Sequence, residues 1–78
     1  MESDFKKRLR ERRIEMGYDT QGKLAKALGM TTQTISYYEN GERKPDYETF
    51  AKIARVLNCS LNYLYGIDDL PDEEWEQI

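Results

Sequence analysis

The stretch TTQTISYYEN, residues 31–40, is dense in amide and hydroxyl side chains. At about 100° per residue, five of these polar residues share one side of a helix. They are Thr32, Gln33, Ser36, Tyr37 and Asn40. On the other side, Thr34, Ile35 and Tyr38 form a stripe that would anchor the helix to its neighbours. The stretch therefore predicts a helix whose exposed face carries neutral hydrogen-bonding groups.

The composition of this face suits the recognition of base edges in the major groove of DNA. A helix face that meets only solvent commonly carries Glu and Lys, which favour helix formation and solubility. This face carries neither, although 35% of the chain is charged. Amide and hydroxyl groups match base edges, and Gln33 can make two hydrogen bonds to adenine N6 and N7. The alternative interpretation is a Thr-rich, capped surface helix without a partner.

Residues on both flanks of the stretch are suited to bind phosphates. Gln21 is expected in the first turn of the preceding helix, where free N–H groups and the positive dipole end attract anions. Beyond the stretch, the Asn40-Gly41 turn leads to Arg43 and Lys44. Contacts of this kind fix the register of a protein on DNA and supply affinity, while the face between them reads the sequence.

The chain of 78 residues has room for one small domain. It contains no histidine, and its single cysteine, Cys59, has no internal partner for a disulfide. These counts exclude a Cys/His zinc site and a His-based catalytic triad. We therefore predict no enzymatic activity, no cofactor and no small-molecule ligand. Because no apolar run approaches the ~18–20 residues of a membrane span and no signal peptide is recognisable, we expect a reduced, cytoplasmic protein without membrane contacts.

The net charge of −3 is unevenly distributed along the chain. Six acidic residues and no base follow Ile67. Residues 1–66 hold twelve bases and nine acids, a balance of +3. The first part of the chain is thus weakly basic, and this asymmetry is more informative than the total charge.

Gly and Pro divide the chain into short pieces with helical periodicity. In the first piece, Phe5, Leu9 and Met16 form one stripe, and Arg13 lies on the same stripe where an apolar residue is expected. A second helix should begin after the N-cap Thr20 and end before Gly29. Its inner face is predicted to be Leu24, Ala25 and Leu28.

Thr31 is predicted to cap the third helix, which follows the second after a short turn containing Gly29. This arrangement matches either a helix-turn-helix unit or an ordinary pair of antiparallel helices. A fourth helix should start at Pro45-Asp46 and bury an apolar stripe. The stripe is Tyr47, Phe50, Ile53, Ala54 and Leu57. Ser60 should cap a short fifth helix through Tyr65 that buries Leu61 and Leu64. Since no piece carries strand periodicity, the predicted fold is all-α.

The stretch TQGKLAKALGMTTQTISYYENGERKPDYETFAKIARVLNCSLNYLYG resembles the lambda-repressor-like, Cro/repressor-type helix-turn-helix family, also called the xenobiotic-response-element type. The resemblance runs from about Phe5 to Gly66. It is strongest at Thr20-Gln21, Leu24-Ala25, Gly29 and the segment TISYYENGERKP. It implies a five-helix DNA-binding domain over residues 1–66 that binds double-stranded operator DNA as a homodimer, with the third helix in the major groove.

The resemblance also implies roles for individual residues. Gln21 would contact a phosphate, the polar face of the third helix would contact bases, and the turn from Asn40 to Lys44 would contact the DNA backbone. The predicted DNA-binding residues are Gln21, Thr31, Thr32, Gln33, Ser36, Tyr37, Asn40, Arg43 and Lys44. By the same resemblance, Arg13 should pair with Glu39 and lie near a phosphate.

The chain departs from the family pattern at three places. One residue is inserted between Gly17 and Thr20-Gln21, and Tyr37 and Tyr38 are bulky for their positions. The acidic tail, residues 67–78, lies outside the pattern. Its Pro71, Trp75 and Ile78 suggest a short helix that packs on the domain or on a dimer partner, or that begins a linker. A loosely ordered, solubilising end is the alternative.

The resulting hypothesis is a sequence-specific transcriptional regulator, most simply a repressor of the phage or bacterial type. An antitoxin of a toxin–antitoxin pair, which also binds its own operator, is an alternative within the same class. A protein-interaction module that does not bind DNA is an alternative from another class. The polar face and the Arg43-Lys44 pair favour DNA binding over that module.

Overall fold

The computed structural model describes residues 5–66 and contains five α-helices. They are α1 (Phe5–Glu15), α2 (Gln21–Leu28), α3 (Thr32–Asn40), α4 (Tyr47–Val56) and α5 (Leu61–Tyr65). No strand occurs in this range, so the predicted all-α fold is confirmed. None of the helices between residues 5 and 66 has the length and apolar character that a bilayer crossing requires. The predicted helix in the acidic tail lies outside the described residues.

Local capping interactions set the ends of the helices. Thr20, Thr31 and Ser60 have extended backbones, and the side chain of each accepts a hydrogen bond from a backbone N–H in the first helical turn, as predicted. Gly29 ends α2 in the left-handed conformation, with φ of 71°. The start of α4 differs from the prediction, because Asp46 is the N-cap and the helix begins at Tyr47.

Apolar residues from all five helices form one core. The buried members are Phe5, Leu9, Leu24, Ala25, Leu28, Ile35, Tyr38, Ile53, Ala54, Leu57 and Leu64. In this core α1 packs against α3 and α5, and α2 packs against α3 and α4. The ring of Phe5 lies 5.3 Å from that of Phe50 and 6.5 Å from that of Tyr38, so aromatic contacts join α1, α3 and α4.

Two residues predicted on apolar stripes are exposed instead. Met16 is 38% exposed because α1 ends at Glu15 and the chain turns away at Gly17, which has φ of 91°. Tyr47 is 72% exposed. It is the first residue of α4, and helical side chains lean toward the N-terminus, beyond the start of the helix and the edge of the core. Both predictions of burial are wrong because the apolar stripe extends beyond the neighbouring helices that could cover it.

Two arginines of α1 hold the C-terminal part of the domain. Arg12 donates from Nε to the carbonyl oxygen of Leu57 at 2.9 Å and from Nη2 to that of Asn58 at 2.8 Å. Arg8 donates to the carbonyl oxygen of Tyr63 at 2.9 Å, and its guanidinium lies 4.9 Å from the Tyr63 ring centroid. Part of the positive charge in residues 1–66 therefore stabilises the fold.

The N-cap of α4 should make the free energy of unfolding depend on pH in the acidic range. The backbone N–H of Thr49 donates to Asp46 Oδ1 at 2.8 Å, and this bond lowers the pKa of Asp46 below its ordinary value of 3.8. A lowered folded-state pKa contributes stability that is present above the unfolded-state pKa and is lost as the pH falls through the folded-state pKa. Asn is also a good N-cap but does not titrate, so Asp46→Asn should remove this contribution to the pH dependence.

The measurement is the free energy of unfolding in urea from pH 7 to pH 3 for wild type and Asp46→Asn. Taking the difference between the two proteins cancels the titration of every other acid. We expect the free energy of unfolding of wild type to decrease relative to that of Asp46→Asn as the pH falls below about 4. A difference that stays constant with pH would contradict a titrating cap.

Candidate nucleic-acid interface

The turn between α2 and α3 brings the starts of the two helices together. The backbone N–H of Met30 donates to the carbonyl oxygen of Ala25 at 2.8 Å, which closes the end of α2. At the other end of α2, a Cβ atom on Gly22 would lie 3.4 Å from Oγ1 of Thr32. The first turn of α2, whose N–H groups lack intrahelical acceptors as at any helix start, thus lies beside the first residue of α3.

A buried ion pair fixes α3 to α1. Arg13 Nε donates to Glu39 Oε2 at 2.7 Å, and the two side chains are only 7% and 5% exposed. Arg13 Nη1 also donates to the carbonyl oxygen of Tyr18 at 2.8 Å. The pairing of Arg13 with Glu39 that the family resemblance implies is therefore present, and it explains why an arginine occupies the apolar stripe of α1.

Gln21 connects α2 to the same ion pair. Its Nε2 donates to Glu39 Oε1 at 3.0 Å. Glu39 thus accepts hydrogen bonds from α1 and α2, and one carboxylate sets the position of α3 against both. This link was not predicted. It holds the half-buried side chain of Gln21 against Glu39, within the domain.

The two sides of α3 differ as predicted. Ile35 and Tyr38 are buried in the core, and Thr34 is half-buried. On the polar face, Thr32, Gln33 and Asn40 are exposed, and Ser36 and Tyr37 are half-buried. The structure therefore presents the five predicted base-facing and turn residues on one accessible surface.

Hydrogen bonds within α3 order part of this surface. Gln33 Nε2 donates to Tyr37 Oη at 2.7 Å, one helical turn later. Asn40 Nδ2 donates to Ser36 Oγ at 3.3 Å. Thr31 is exposed, and its Oγ1 accepts from the backbone N–H of Thr34 as the helix cap. The exposed side chains of α3 are thus partly held in place before any ligand binds.

The turn after α3 carries the predicted basic residues at the surface. Gly41 is left-handed, with φ of 80°, and ends α3. Arg43 and Lys44 follow and are exposed. The Arg43 guanidinium carbon lies 4.5 Å from the centroid of the Tyr37 ring, in a cation–π contact. The turn therefore places positive charge at the end of the polar face.

A groove between α1 and the end of α3 adds basic residues that are not among the predicted DNA-binding residues. Its lining residues are Lys6, Lys7, Arg10, Glu11, Ile14, Glu39 and Asn40. The side chain of Lys6 approaches Gly41 so closely that its Cδ would lie 3.3 Å from a Cβ there. Lys6 and Arg10 are four residues apart in the sequence, a helical spacing that marks them as one row, but only the packing of α1 on α3 brings that row beside the end of α3.

Comparisons with known proteins agree with this geometry. A family model described as "Helix-turn-helix" matches residues 9–64. The HTH-type transcriptional regulator ImmR of Bacillus subtilis is 39% identical over 64 residues, covering 82% of this chain and 50% of the relative. An uncharacterized HTH-type transcriptional regulator of Archaeoglobus fulgidus is 40% identical over 68 residues, covering 87% of this chain and 93% of the relative.

A third relative comes from a phage. The ImmF control region 10 kDa protein of Bacillus phage phi105 is 43% identical over 44 residues, covering 56% of this chain and 49% of that protein. The chain thus spans about half the length of ImmR and of the phage protein, and nearly all of the archaeal one. No solved structure gives a significant match.

Proposed function

Since this chain belongs to the Cro/C1-type helix-turn-helix family of DNA-binding transcriptional regulators, we propose that it is a repressor that binds a palindromic operator as a homodimer. The observation that carries the proposal is the accessible, neutral polar face of α3, which lies between the first turn of α2 and the basic turn after α3. Neutral amide and hydroxyl groups match the donor and acceptor pattern of base pairs in the major groove. The neighbouring N–H groups and basic residues suit phosphates.

In this proposal the residues of the interface divide into two groups. Thr32, Gln33, Ser36 and Tyr37 form the group that faces the bases. The phosphate contacts come from the first turn of α2 at Gln21, from the capped start of α3 at Thr31, and from the turn after α3. The residues of that turn are Asn40, Arg43 and Lys44. Lys6 lies against the same turn and adds positive charge beside it.

The proposal of repression rests on the kind of relative that the chain matches. One relative is named for the ImmF control region of a phage, and another, from Bacillus subtilis, is described as an SPbeta prophage-derived uncharacterized HTH-type transcriptional regulator. A bound protein that occupies an operator blocks access to the DNA beneath it. A domain with the interface described above therefore needs no catalytic activity to repress.

The proposal of a dimer follows from the small size of the reading surface. An α-helix rises about 1.5 Å per residue, so a helix as short as α3 spans only a few base pairs of the groove. Two copies related by a two-fold axis would double the contacts and bind half-sites about one DNA turn apart. We place the dimer contact around residues 57–65, in which Leu57 and Leu64 are fully buried in the core. The contact would therefore use the accessible positions between them, such as Asn58, Ser60 and the half-buried Leu61.

Selection of bound sequences from a random DNA pool tests the proposal directly. We expect an inverted repeat whose half-site centres are about 34–36 Å apart. Each half-site alone should bind much more weakly than the full repeat, because it engages one copy of α3. A single, non-palindromic half-site that binds monomer with full affinity would contradict the dimer. Absence of any enriched sequence, with equal binding to all duplexes, would contradict sequence-specific regulation.

A further inference from the structure

Tyr37 is contacted by both kinds of residue in the proposed DNA interface. Its hydroxyl oxygen accepts a hydrogen bond from Gln33 Nε2 at 2.7 Å. Its ring lies under the guanidinium of Arg43, with 4.5 Å between the guanidinium carbon and the ring centroid. Gln33 and Arg43 come from different elements, α3 and the turn after it. One half-buried side chain therefore meets a base-reading residue and a phosphate-binding residue through two separate parts of its structure.

The bond to Tyr37 leaves the reading capacity of Gln33 intact. A Gln amide has two N–H donors and one carbonyl acceptor. The donor used on Tyr37 leaves the second N–H and Oε1 for a base, and these are the two groups that pair with adenine N7 and N6. The bond restricts an otherwise exposed, flexible side chain, so Tyr37 lowers the ordering cost of base contact without occupying the contact itself.

The ring of Tyr37 orders Arg43 in a different way. Arg43 is exposed in a turn, where a long side chain samples many rotamers. Stacking on an aromatic face holds the planar guanidinium in one plane, and its N–H donors remain available at the edges. The ring thus directs the positive charge toward the end of the polar face.

We propose that Tyr37 is a positioning residue that sets the orientation of both Gln33 and Arg43, its hydroxyl acting on base reading and its ring on phosphate binding. This inference rests on the proposed function of α3 as the reading helix. It assigns to Tyr37 a specificity effect exerted through Gln33, which differs from a direct contact between the Tyr37 hydroxyl and a base. Since the hydroxyl and the ring act on different residues, separate substitutions isolate their effects.

The first variant is Tyr37→Phe, which keeps the ring and removes the hydroxyl. On the selected operator we expect a loss of about two- to tenfold in affinity, the size of an ordering cost for one side chain. The loss should be confined to discrimination at the base pair read by Gln33. Binding to a scrambled duplex and the salt dependence should stay as in wild type, because Arg43 still stacks on the ring. The matched control is Tyr47→Phe, which removes a hydroxyl from an exposed tyrosine outside α3 and should change nothing.

The second variant is Tyr37→Leu, which removes the ring as well. It should repeat the effect of Tyr37→Phe and also weaken binding to the scrambled duplex, since Arg43 loses its stacking surface. Thermal melts of all variants identify any loss of binding that reflects unfolding. If Tyr37→Leu weakens only the selected operator and leaves the scrambled duplex unaffected, the role of the ring is overturned.

A double-mutant cycle separates positioning from direct reading. In a Gln33→Ala background, Tyr37→Phe should have almost no further effect, because the residue it positions is gone. Equal effects of Tyr37→Phe with and without Gln33 would overturn the proposal and assign the hydroxyl its own base contact. If wild type itself does not distinguish the selected operator from the scrambled duplex, the proposed function fails instead.

A measurement without DNA tests the positioning itself. The side-chain amide of Gln33 gives a pair of proton resonances whose shifts report the hydrogen bond to Tyr37. In Tyr37→Phe these resonances should move toward the values of a free glutamine side chain, whereas Tyr47→Phe should leave them in place. Unchanged Gln33 amide resonances in Tyr37→Phe would overturn the proposal irrespective of any result with DNA.

Discussion

Glu39→Ala is expected to lower the free energy of unfolding by about 3–5 kcal/mol, because it leaves the buried guanidinium of Arg13 without its charge partner. The magnitude follows from burial: the Arg13 and Glu39 side chains are 7% and 5% exposed, and their closest N···O distance is 2.7 Å. From the sequence alone the pair was compatible with either a buried or an exposed position, and only burial makes the loss large. The variant also removes the acceptor for Gln21.

The test is a set of urea or thermal unfolding curves for Arg13→Ala, Glu39→Ala and the double mutant. We expect the double mutant to lose less stability than the sum of the two single losses, since the pair is coupled. Glu15→Ala is a matched control. It breaks the ion pair of Glu15 with Arg12, whose side chains are 58% and 25% exposed, and should change stability by no more than about 1 kcal/mol.

Glu39→Ala should also weaken DNA binding beyond its effect on stability. The carboxylate accepts from Arg13 on α1 and from Gln21 on α2, so its loss frees α3 to move relative to both helices. Additive single losses of less than about 1 kcal/mol each would show that the pair does not hold α3 in place.

Gln33→Ala is expected to cost about 1–3 kcal/mol of binding free energy per half-site on the preferred operator. Gln33 is exposed in the first turn of α3, and its amide can make two hydrogen bonds to one base. The loss should therefore appear as relaxed preference at one base pair in each half-site. Thr32→Ala and Ser36→Ala should give smaller effects, each at its own position.

Lys44→Ala is the matched comparison, because Lys44 is exposed in the turn after α3, where we propose a phosphate contact and no base contact. It should weaken all duplexes alike and lower the salt slope by about one unit for each phosphate that is no longer neutralised. Arg43→Ala should also weaken all duplexes alike. It additionally removes the cation–π contact with the Tyr37 ring. Each variant is measured on the operator and on a scrambled duplex at two salt concentrations. If Gln33→Ala weakens binding to both duplexes equally, α3 contacts only the DNA backbone and does not read bases.

The sequence by itself determined the features that depend on residues within one or two helical turns. Thr20, Thr31 and Ser60 were predicted as N-caps and are N-caps. A cap is a contact between residues that are close in the chain, so it can be predicted without knowledge of the fold. The division of α3 into a buried side with Ile35 and a polar side with Gln33 was predictable for the same reason, since 3.6-residue periodicity is a local property.

The tertiary structure decided which side chains are buried in the core and which bind other parts of the domain. Met16 and Tyr47 continue their apolar stripes but are exposed, because no neighbouring helix covers those ends. The guanidinium groups of Arg8 and Arg12 bind carbonyl oxygens 55 and 45 positions away, and the carboxylate of Glu39 receives Gln21 from another helix. Contacts between residues so far apart depend on where each helix ends and on how the helices pack, and no local pattern carries that information.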